Sequence, residues 1–292
     1  MRSVLIATGG TIAWDRGNAR MVTGADLAYQ AGITFDEIID VEAKPSWDFS
    51  IDEMFGVASA VKRAIDDGAD VVVVTHGTDT LEETAWLTEL TLANRRRLAS
   101  VTFTGAMRFA DDPEADGPRN LADAFAIGQA ASKQNLGVQV AFAGRTHAAR
   151  WVVEVDATGF DAFESAQRPT SAPQPPTSRG MLQRNVALLK VGPVARPPVP
   201  PNISGLVLEG VGASHVPSSY HPTIRDLVSR GVPVVIGTRV GDPGAAITDQ
   251  LVLRAGDLSA EKATIALMVA LGNSTDLDEI RTWWAELLFA GS

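Results

Sequence analysis

The segment DVVVVTHGTDTLEETAWLTEL, residues 70–90, decides the fold class of this chain. Its four consecutive valines form a short apolar run, which is typical of a strand that is buried on both faces of a parallel sheet. The run ends in a cluster of threonines around an acidic residue, and a helical pattern follows. We therefore predict that the segment is the strand, loop and helix of one βαβ unit.

Similar apolar runs recur along the rest of the chain, with helical patterns between them. They cover residues 4–7, 101–104, 138–143, 205–208 and 232–236. Residues 51–66 carry an apolar stripe at helical spacing, which leads through Asp67 and Gly68 into the four valines. The alternation of strands and helices predicts an α/β fold built on parallel sheets.

The length and a break in composition predict two domains. The chain has 292 residues, enough for two domains that each bury a core. Nine prolines lie between residues 169 and 201, where they exclude helices and central strands. We place an N-terminal domain at residues 1–164, a proline-rich linker at 165–202 and a smaller C-terminal α/β domain at 203–292. An apolar piece at 185–191 is a candidate edge strand within the linker.

Composition and charge exclude several classes of protein. The chain has no cysteine, so it holds no disulfide, zinc ribbon or cysteine nucleophile. Its 25 basic and 35 acidic residues give a net charge of -10, which does not favour nucleic acid as a partner. No apolar stretch approaches the length of a membrane span, and the N-terminus lacks the features of a signal peptide. We therefore expect a cytoplasmic protein without a membrane partner.

Two predicted strands end in glycine- and threonine-rich loops that are candidates for a ligand site. The first strand ends in TGGTI, residues 8–12, and the valine strand ends in THGTDT, residues 75–80. Ligands of open parallel sheets bind beyond the carboxyl ends of the strands, so we expect the two loops to converge. The glycine spacing does not match G-x-G-x-x-G, and a dinucleotide site is therefore not favoured.

Each loop also has a purely structural explanation. The two glycines of TGGTI are what a tight turn between a strand and the next segment requires. Thr80 and Glu83 have the spacing of a capping box, and the charge of Asp79 is placed to stabilise the N-terminus of a helix. Neither loop by itself therefore identifies an activity.

Four motifs together resemble those of one enzyme family. The motifs IATGGTI (6–12), THGTDT (75–80), GAMR (105–108) and ADGPRNL (115–121) are similar, in order and spacing, to those of bacterial-type asparaginases and glutaminase-asparaginases. The likeness continues to residues 255–263 and covers nearly the whole chain. The resemblance implies a larger, flavodoxin-like N-terminal domain, a smaller Rossmann-like C-terminal domain, and an amidohydrolase without a metal or cofactor.

The resemblance also implies roles for individual residues. Thr11 matches the threonine that attacks the side-chain amide and forms an acyl-enzyme, from which water releases the acid. Thr78 matches a second catalytic threonine, and Asp79 matches the aspartate beside it that also binds the α-amino group of the substrate. Ser46 matches the serine that binds the substrate's α-carboxylate.

Four further residues are expected to contact the substrate. Gly10 and Gly77 lie in the two loops, where backbone N–H groups can bind an oxyanion. Trp47 stands where the family has glutamine or a small polar residue, and its indole indicates a substrate of altered shape. His215 aligns with a second-domain asparagine that reaches into a neighbouring subunit's active site. We therefore expect a homodimer or homotetramer with shared active sites.

The main departure from the family is Glu154, which occupies the position of the catalytic lysine. Two neighbouring carboxylates do not both ionise cheaply, so one of Glu154 and Asp79, if adjacent, would have a raised pKa or recruit a cation, which could be Arg150, Arg108 or the substrate itself. A carboxylate of raised pKa is a competent general base. Alternatively, Glu154 faces solvent and the site is inactive.

The favoured hypothesis is an amidohydrolase that acts on the side-chain amide of asparagine or a related small amide and releases ammonia or an amine. Its catalytic residues would be Thr11, Thr78, Asp79 and Glu154. The alternative is a homologue that binds an amino acid or amide without hydrolysing it. A third hypothesis, the amidase component of a tRNA-dependent amidotransferase, is weakened by the acidic charge and the missing lysine.

Overall fold

The computed structural model of the protein divides into two compact units, Met1–Gln174 and Pro175–Ser292. It describes the chain except residues 42, 94, 96–97, 132–133, 166–167, 170, 194–196, 241–251 and 290–292. The division falls inside the stretch that the sequence assigns to a linker, 165–202. Both units are α/β structures.

The first unit is built on a six-stranded sheet with helices on both faces. The strands of the whole unit, which also include two short hairpins outside this sheet, are β1 (Ser3–Ala7), β2 (Trp14–Asp15), β3 (Arg20–Met21), β4 (Glu37–Asp40), β5 (Val71–Thr75), β6 (Ser100–Thr104), β7 (Val138–Phe142), β8 (Arg145–Ala148), β9 (Val153–Glu154) and β10 (Phe163–Glu164). Its helices are α1 (Gly24–Gln30), α2 (Ile51–Asp66), α3 (Leu81–Thr91) and α4 (Gly117–Ala131). The sheet order is β4-β1-β5-β6-β7-β8, and neighbouring strands are parallel except for β7 and β8.

The strand order determines where a ligand can bind. Numbered along the chain, the five parallel strands lie in the order 2-1-3-4-5, which is the flavodoxin-like order. The chain passes from β4 on one side of β1 to β5 on the other, and this reversal opens a crevice beyond the carboxyl ends of β1 and β5. The loops that follow these two strands flank the crevice. The predicted fold class is confirmed.

The central strands are covered on both faces. Val72 and Val74 of β5 share a buried cluster with Val61 of α2, whereas Val73 packs on the other face in a cluster with Leu121 of α4. Successive side chains of a strand point to opposite faces, so a strand covered on both sides needs apolar residues at every position. The four valines of β5 meet this requirement.

Both edges of the sheet are strands that the sequence does not predict. The edge strand β4 has the sequence EIID, and β8 has the sequence RTHA. An edge strand has one neighbour and less cover, so it needs fewer apolar residues than a central strand. The hairpins β2–β3 and β9–β10 pair only two residues in each strand, too few for a periodic pattern.

The second unit is a smaller α/β structure. Its parallel strands β11 (Val186–Lys190), β12 (Gly205–Gly210), β13 (Val234–Thr238) and β14 (Leu253–Arg254) lie in chain order, and its helices are α5 (His221–Ser229), α6 (Ala260–Asn273) and α7 (Leu277–Phe289). The candidate edge strand at 185–191 forms β11, because prolines flank this apolar piece without interrupting it. Part of the predicted linker therefore belongs to the second sheet.

Among the described residues, no helix is long and apolar enough to cross a membrane.

The start of α2 is fixed by a reciprocal cap. The Ser50 hydroxyl accepts a hydrogen bond from the Glu53 N–H at 3.3 Å, and the Glu53 carboxylate accepts one from the Ser50 N–H at 2.7 Å. This cap satisfies two backbone donors that would otherwise lack partners.

Replacing the cap tests its contribution. We expect Ser50→Ala to lower the free energy of unfolding by about 1 kcal/mol, because the Glu53 N–H loses its acceptor. Urea denaturation followed by circular dichroism measures the change. Ser50→Thr, which keeps a hydroxyl, is the matched control, and equal midpoints for the Ala variant and the wild type would contradict the assignment.

Candidate active site

The loops that follow β1 and β5 are held side by side by backbone and hydroxyl contacts. The Thr8 N–H and the Thr8 hydroxyl both donate to the Thr75 carbonyl oxygen, at 3.2 and 2.9 Å. The His76 N–H donates to the Thr104 carbonyl oxygen at 2.8 Å, which ties the second loop to β6. The predicted convergence of the two loops is therefore present.

Two glycines allow the loops to approach closely. Gly10 has φ +81°, and a Cβ atom at this position would lie 2.6 Å from the Gly77 amide nitrogen. A Cβ atom on Gly77 would lie 2.8 Å from Cβ of Ser46. Both distances are shorter than atoms in proteins tolerate, so neither position has room for a side chain. Gly10 therefore packs on the backbone of Gly77, and Gly77 packs on the side chain of Ser46.

The two glycines that pack together each directly precede a predicted catalytic threonine. Thr11 begins a short 3-10 turn directly after Gly10, and Thr78 begins another directly after Gly77. Thr78 is buried and Thr11 half-buried. Within the described part of the chain, the Thr11 hydroxyl makes no hydrogen bond. It is therefore available to a ligand.

Ser46 and Asp79 form a direct hydrogen bond. The Ser46 hydroxyl, which is buried, donates to Asp79 Oδ2 at 2.9 Å, and Asp79 is exposed on its other side. A hydroxyl has one proton to donate. A substrate carboxylate that takes the hydrogen bond of Ser46 must therefore replace Asp79 as its acceptor.

The predicted capping box of Thr80 and Glu83 is wrong. The helix α3 begins after Thr80, but the Thr80 side chain makes no capping hydrogen bond. Its hydroxyl donates to the Ser46 carbonyl oxygen at 2.9 Å instead. The residue therefore joins the Ser46 segment to the loop after β5.

Glu154 lies beside Thr78. The Thr78 hydroxyl donates a hydrogen bond to the Glu154 carboxylate, and Glu154 is half-buried on β9. Burial raises the pKa of Glu154 from 4.5 to about 7, with further contributions from the charges of Asp79 and Glu82, while the hydrogen bond from Thr78 opposes the rise. The alternative in which Glu154 points away from Thr78 does not describe this structure.

Neither candidate arginine neutralises Glu154. The Arg108 guanidinium lies 4.8 Å from the ring centre of Phe160, and the buried Arg150 guanidinium lies 5.7 Å from that of Trp86. The charges that act on Glu154 are those of Asp79 and Glu82, and both are acidic. Of the two expected outcomes of crowding two carboxylates, the structure therefore favours a raised pKa of Glu154 over a recruited arginine.

His76 supports the second loop but does not act as its base. It is fully buried, and Nδ1–H donates to the Gly77 carbonyl oxygen at 2.8 Å. Burial lowers the pKa of His76 to about 4, so the ring is neutral at physiological pH. The ring fixes the peptide that precedes Thr78.

Trp47 and His215 lie in different surroundings. The Trp47 side chain is 67% exposed at the turn that Ser46 begins. His215 belongs to the second unit, where its backbone exchanges hydrogen bonds with Val211. The predicted contacts of both residues with a substrate stay predictions.

Two acidic residues have functions that the sequence does not assign. The Asp116 carboxylate accepts hydrogen bonds from the N–H groups of Met107 and Arg108, and so holds the loop after β6. Glu82 accepts a hydrogen bond from the Glu154 N–H at 3.4 Å. Asp116 belongs to the ADGPRNL motif, so the sequence contains a signal for its role, whereas the role of Glu82 depends on a contact between residues far apart in the sequence.

No group of three or more histidine, aspartate or glutamate side chains among the described residues is arranged to hold a metal ion.

Two known protein-family models match this chain. Residues 2–178 match the model described as "Asparaginase, N-terminal", and residues 194–284 match "Glutaminase/Asparaginase C-terminal domain". The chain belongs to the asparaginase family. The resemblance predicted from four sequence motifs is confirmed, and the chain is a divergent member of this amidohydrolase family.

Relatives of this asparaginase-family chain match it along most of its length. The L-asparaginase of Thermococcus kodakarensis is 30% identical and aligned over 96% of each chain. A probable cytoplasmic L-asparaginase from Campylobacter jejuni superposes with a TM-score of 0.82 at 25% identity, over 98% of this chain and 99% of that one. A component of the glutamyl-tRNA(Gln) amidotransferase of Metallosphaera sedula is 25% identical, over 95% of this chain and 73% of that component.

The close contact of the loops predicts a large effect of a single methyl group. We expect Gly10→Ala to lower the free energy of unfolding by more than about 2 kcal/mol, because alanine is strained at positive φ and its Cβ would overlap Gly77. Gly56→Ala is the matched control, since Gly56 lies in α2 with open space around it. This variant should be stabilised by about 0.5–1 kcal/mol. Thermal unfolding measures both variants, and equal changes in stability for Gly10→Ala and Gly56→Ala would contradict the prediction.

The raised pKa of Glu154 predicts a dependence of stability on pH. The folded chain keeps the Glu154 proton up to about pH 7, whereas the unfolded chain releases it near 4.5, so this residue's contribution to stability is lost as the pH rises between these values. Glu154→Gln removes this loss. Relative to wild type, we expect the variant to gain on the order of 1 kcal/mol between pH 4 and pH 8, since solvent partly screens a half-buried group. Urea unfolding at both values measures it, and a constant difference would contradict the assignment.

Proposed function

We propose that the protein hydrolyses the side-chain amide of asparagine or a related small amide, and releases ammonia or an amine. The observation that carries the proposal is the hydrogen bond from Thr78 to Glu154, in a site where the Thr11 hydroxyl has no hydrogen-bond partner among the described residues. A hydroxyl is a weak nucleophile until a neighbouring base removes its proton. The site holds hydroxyls and a carboxylate whose pKa lies near neutrality.

In the proposed reaction, Thr11 is the nucleophile. Its Oγ forms a bond to the amide carbon, the C–N bond breaks, and the proton of the hydroxyl leaves with the amine. N–H groups of the loop glycines, Gly10 and Gly77, bind the developing oxyanion. A water molecule then attacks the acyl-enzyme, and ionised Glu154 accepts the water's proton through the Thr78 hydroxyl. Collapse of the intermediate returns a proton to Thr11.

Charge and hydrogen bonding around the same loops support a zwitterionic substrate. Asp79 presents an exposed carboxyl group to an α-ammonium group, and Ser46 offers a hydroxyl to an α-carboxylate. Trp47 presents an exposed indole next to Ser46 and is proposed to contact the remainder of the substrate. The relatives named L-asparaginase agree with this substrate class.

A binding protein without catalysis is the second candidate. The observation that favours it is the acid at the position of the family lysine, Glu154. The amidotransferase hypothesis is less favoured, because the chain spans 73% of that relative and 96% of an L-asparaginase. Calorimetry that detects asparagine binding, with no ammonia released by the same sample, would select the binding protein.

We also propose a cytoplasmic homodimer or homotetramer in which His215 reaches the active site of a neighbouring subunit. The support is the family membership and the position of His215 in its motif. Light scattering on the purified protein tests the assembly, and a monodisperse monomer would exclude it.

The proposed role of Glu154 predicts the pH profile of the activity. Because Glu154 must be ionised to accept a proton, kcat/KM should rise with pH through about 7 and then level off. Glu154→Gln, which keeps the volume but accepts no proton, should lower kcat about 100-fold or more. Ammonia release from asparagine, glutamine and their N-substituted amides is the measurement.

The folded state of the variant is the control for this experiment. A Glu154→Gln protein with wild-type circular dichroism and wild-type activity would exclude Glu154 as the base. Folded wild-type protein that hydrolyses none of the amides would exclude the proposed function itself.

A further inference from the structure

We propose that Glu82 is a positioning residue for Glu154: it holds the backbone of β9 against α3 and places a second negative charge beside the Glu154 carboxylate. The inference rests on the proposed function, in which Glu154 accepts a proton. The sequence by itself assigns no role to Glu82.

The geometry brings the two residues together from distant parts of the chain. The Glu154 N–H donates to Glu82 Oε1 at 3.4 Å, and Glu82 lies in the first turn of α3, directly after the turn that carries Thr78. One short segment thus supplies both the hydroxyl that contacts the Glu154 carboxylate and the acceptor of the Glu154 backbone. Glu154 is therefore held at its main chain and at its side chain by neighbouring residues.

Glu82 lies in the first turn of α3, at the N-terminus of the helix. The N-terminus of a helix carries a partial positive charge, which stabilises an acidic side chain in the first turn. A fixed negative charge at this point disfavours ionisation of a carboxylate nearby. Glu82 therefore helps Glu154 to keep its proton into the neutral range, where a general base is most effective.

The charged groups that face Glu154 come from two elements. Asp79 belongs to the turn before α3 and Glu82 to α3 itself. On the paired strand β10, Phe163 lies opposite Glu154, and Glu164 lies opposite Val153. Since successive side chains of a strand alternate in direction, Glu164 is on the other face of the hairpin. This makes Glu164 a matched control.

The competing explanation is that Glu82 serves only the stability of α3. Both explanations predict some loss of stability when its charge is removed, because both include the interaction with the helix N-terminus. Only the positioning role predicts a change in the protonation of Glu154. The decisive readout is therefore the pH dependence of Glu154 and of the activity.

The test compares Glu82→Gln with Glu164→Gln and the wild type. Glutamine keeps the acceptor for the Glu154 N–H but removes the charge. We expect the acidic limb of the kcat/KM profile for Glu82→Gln to move to lower pH by roughly half to one pH unit. Glu164→Gln removes an equal charge and should leave the limb in place. Glu82→Ser, which also removes the charge, repeats the test if the glutamine variant does not fold.

A measurement without substrate separates this inference from the proposed function. The Glu154 carboxyl carbon is titrated by NMR in protein labelled with 13C-glutamate, and its signal is identified by its loss in Glu154→Gln. A lower titration midpoint in Glu82→Gln supports the inference even if no amide is hydrolysed, in which case only the proposed function fails. An unchanged midpoint, or an equal shift in Glu164→Gln, overturns the inference whether or not the enzyme is active.

Discussion

The close packing of Gly10 on the backbone of Gly77, and of Gly77 on the side chain of Ser46, is the constraint on which the site depends. The flavodoxin-like strand order brings the ends of β1 and β5 together, but it does not fix the distance between the loops. That distance is set by two positions without a Cβ atom and by the hydrogen bonds of Thr8 to the neighbouring strand. The loops that carry Thr11 and Thr78 are therefore held by close packing at two glycines and by short side chains, not by long flexible side chains.

Acidic groups dominate the electrostatics around Thr78. Around Thr78 the chain places three carboxylates, from Asp79, Glu82 and Glu154, and the charges that act on Glu154 are both acidic. The cost of crowding like charges is reduced because Glu154 retains its proton up to about pH 7. Glu154 is therefore neutral or negative according to pH. The net charge of the site therefore changes within the physiological range.

Much of the fold follows from the sequence, because its determinants are local. Central strands such as β5 are continuous apolar runs, and α2 has both an apolar stripe and a capping box. Edge strands, short hairpins and the contribution of β11 to the second sheet depend on pairing with distant residues, and no local pattern encodes that. The same division applies to the site. The loop residues Thr11, Thr78 and Asp79 stand in motifs, whereas the contacts of Glu154 with Thr78 and Glu82 join residues more than 70 positions apart.

The length of the side chain at position 154 has a consequence for the backbone around it. A glutamate carries two methylene groups between Cα and its functional group, whereas a lysine carries four. For Glu154 to contact Thr78 directly while its own N–H contacts Glu82, the main chain of β9 must lie within the reach of the shorter side chain. A lysine at this position would have to fold back on itself or push the β9–β10 hairpin away from α3. The length and the charge of the side chain at position 154 are therefore linked in this chain, and a substitution that leaves the strand in place alters both.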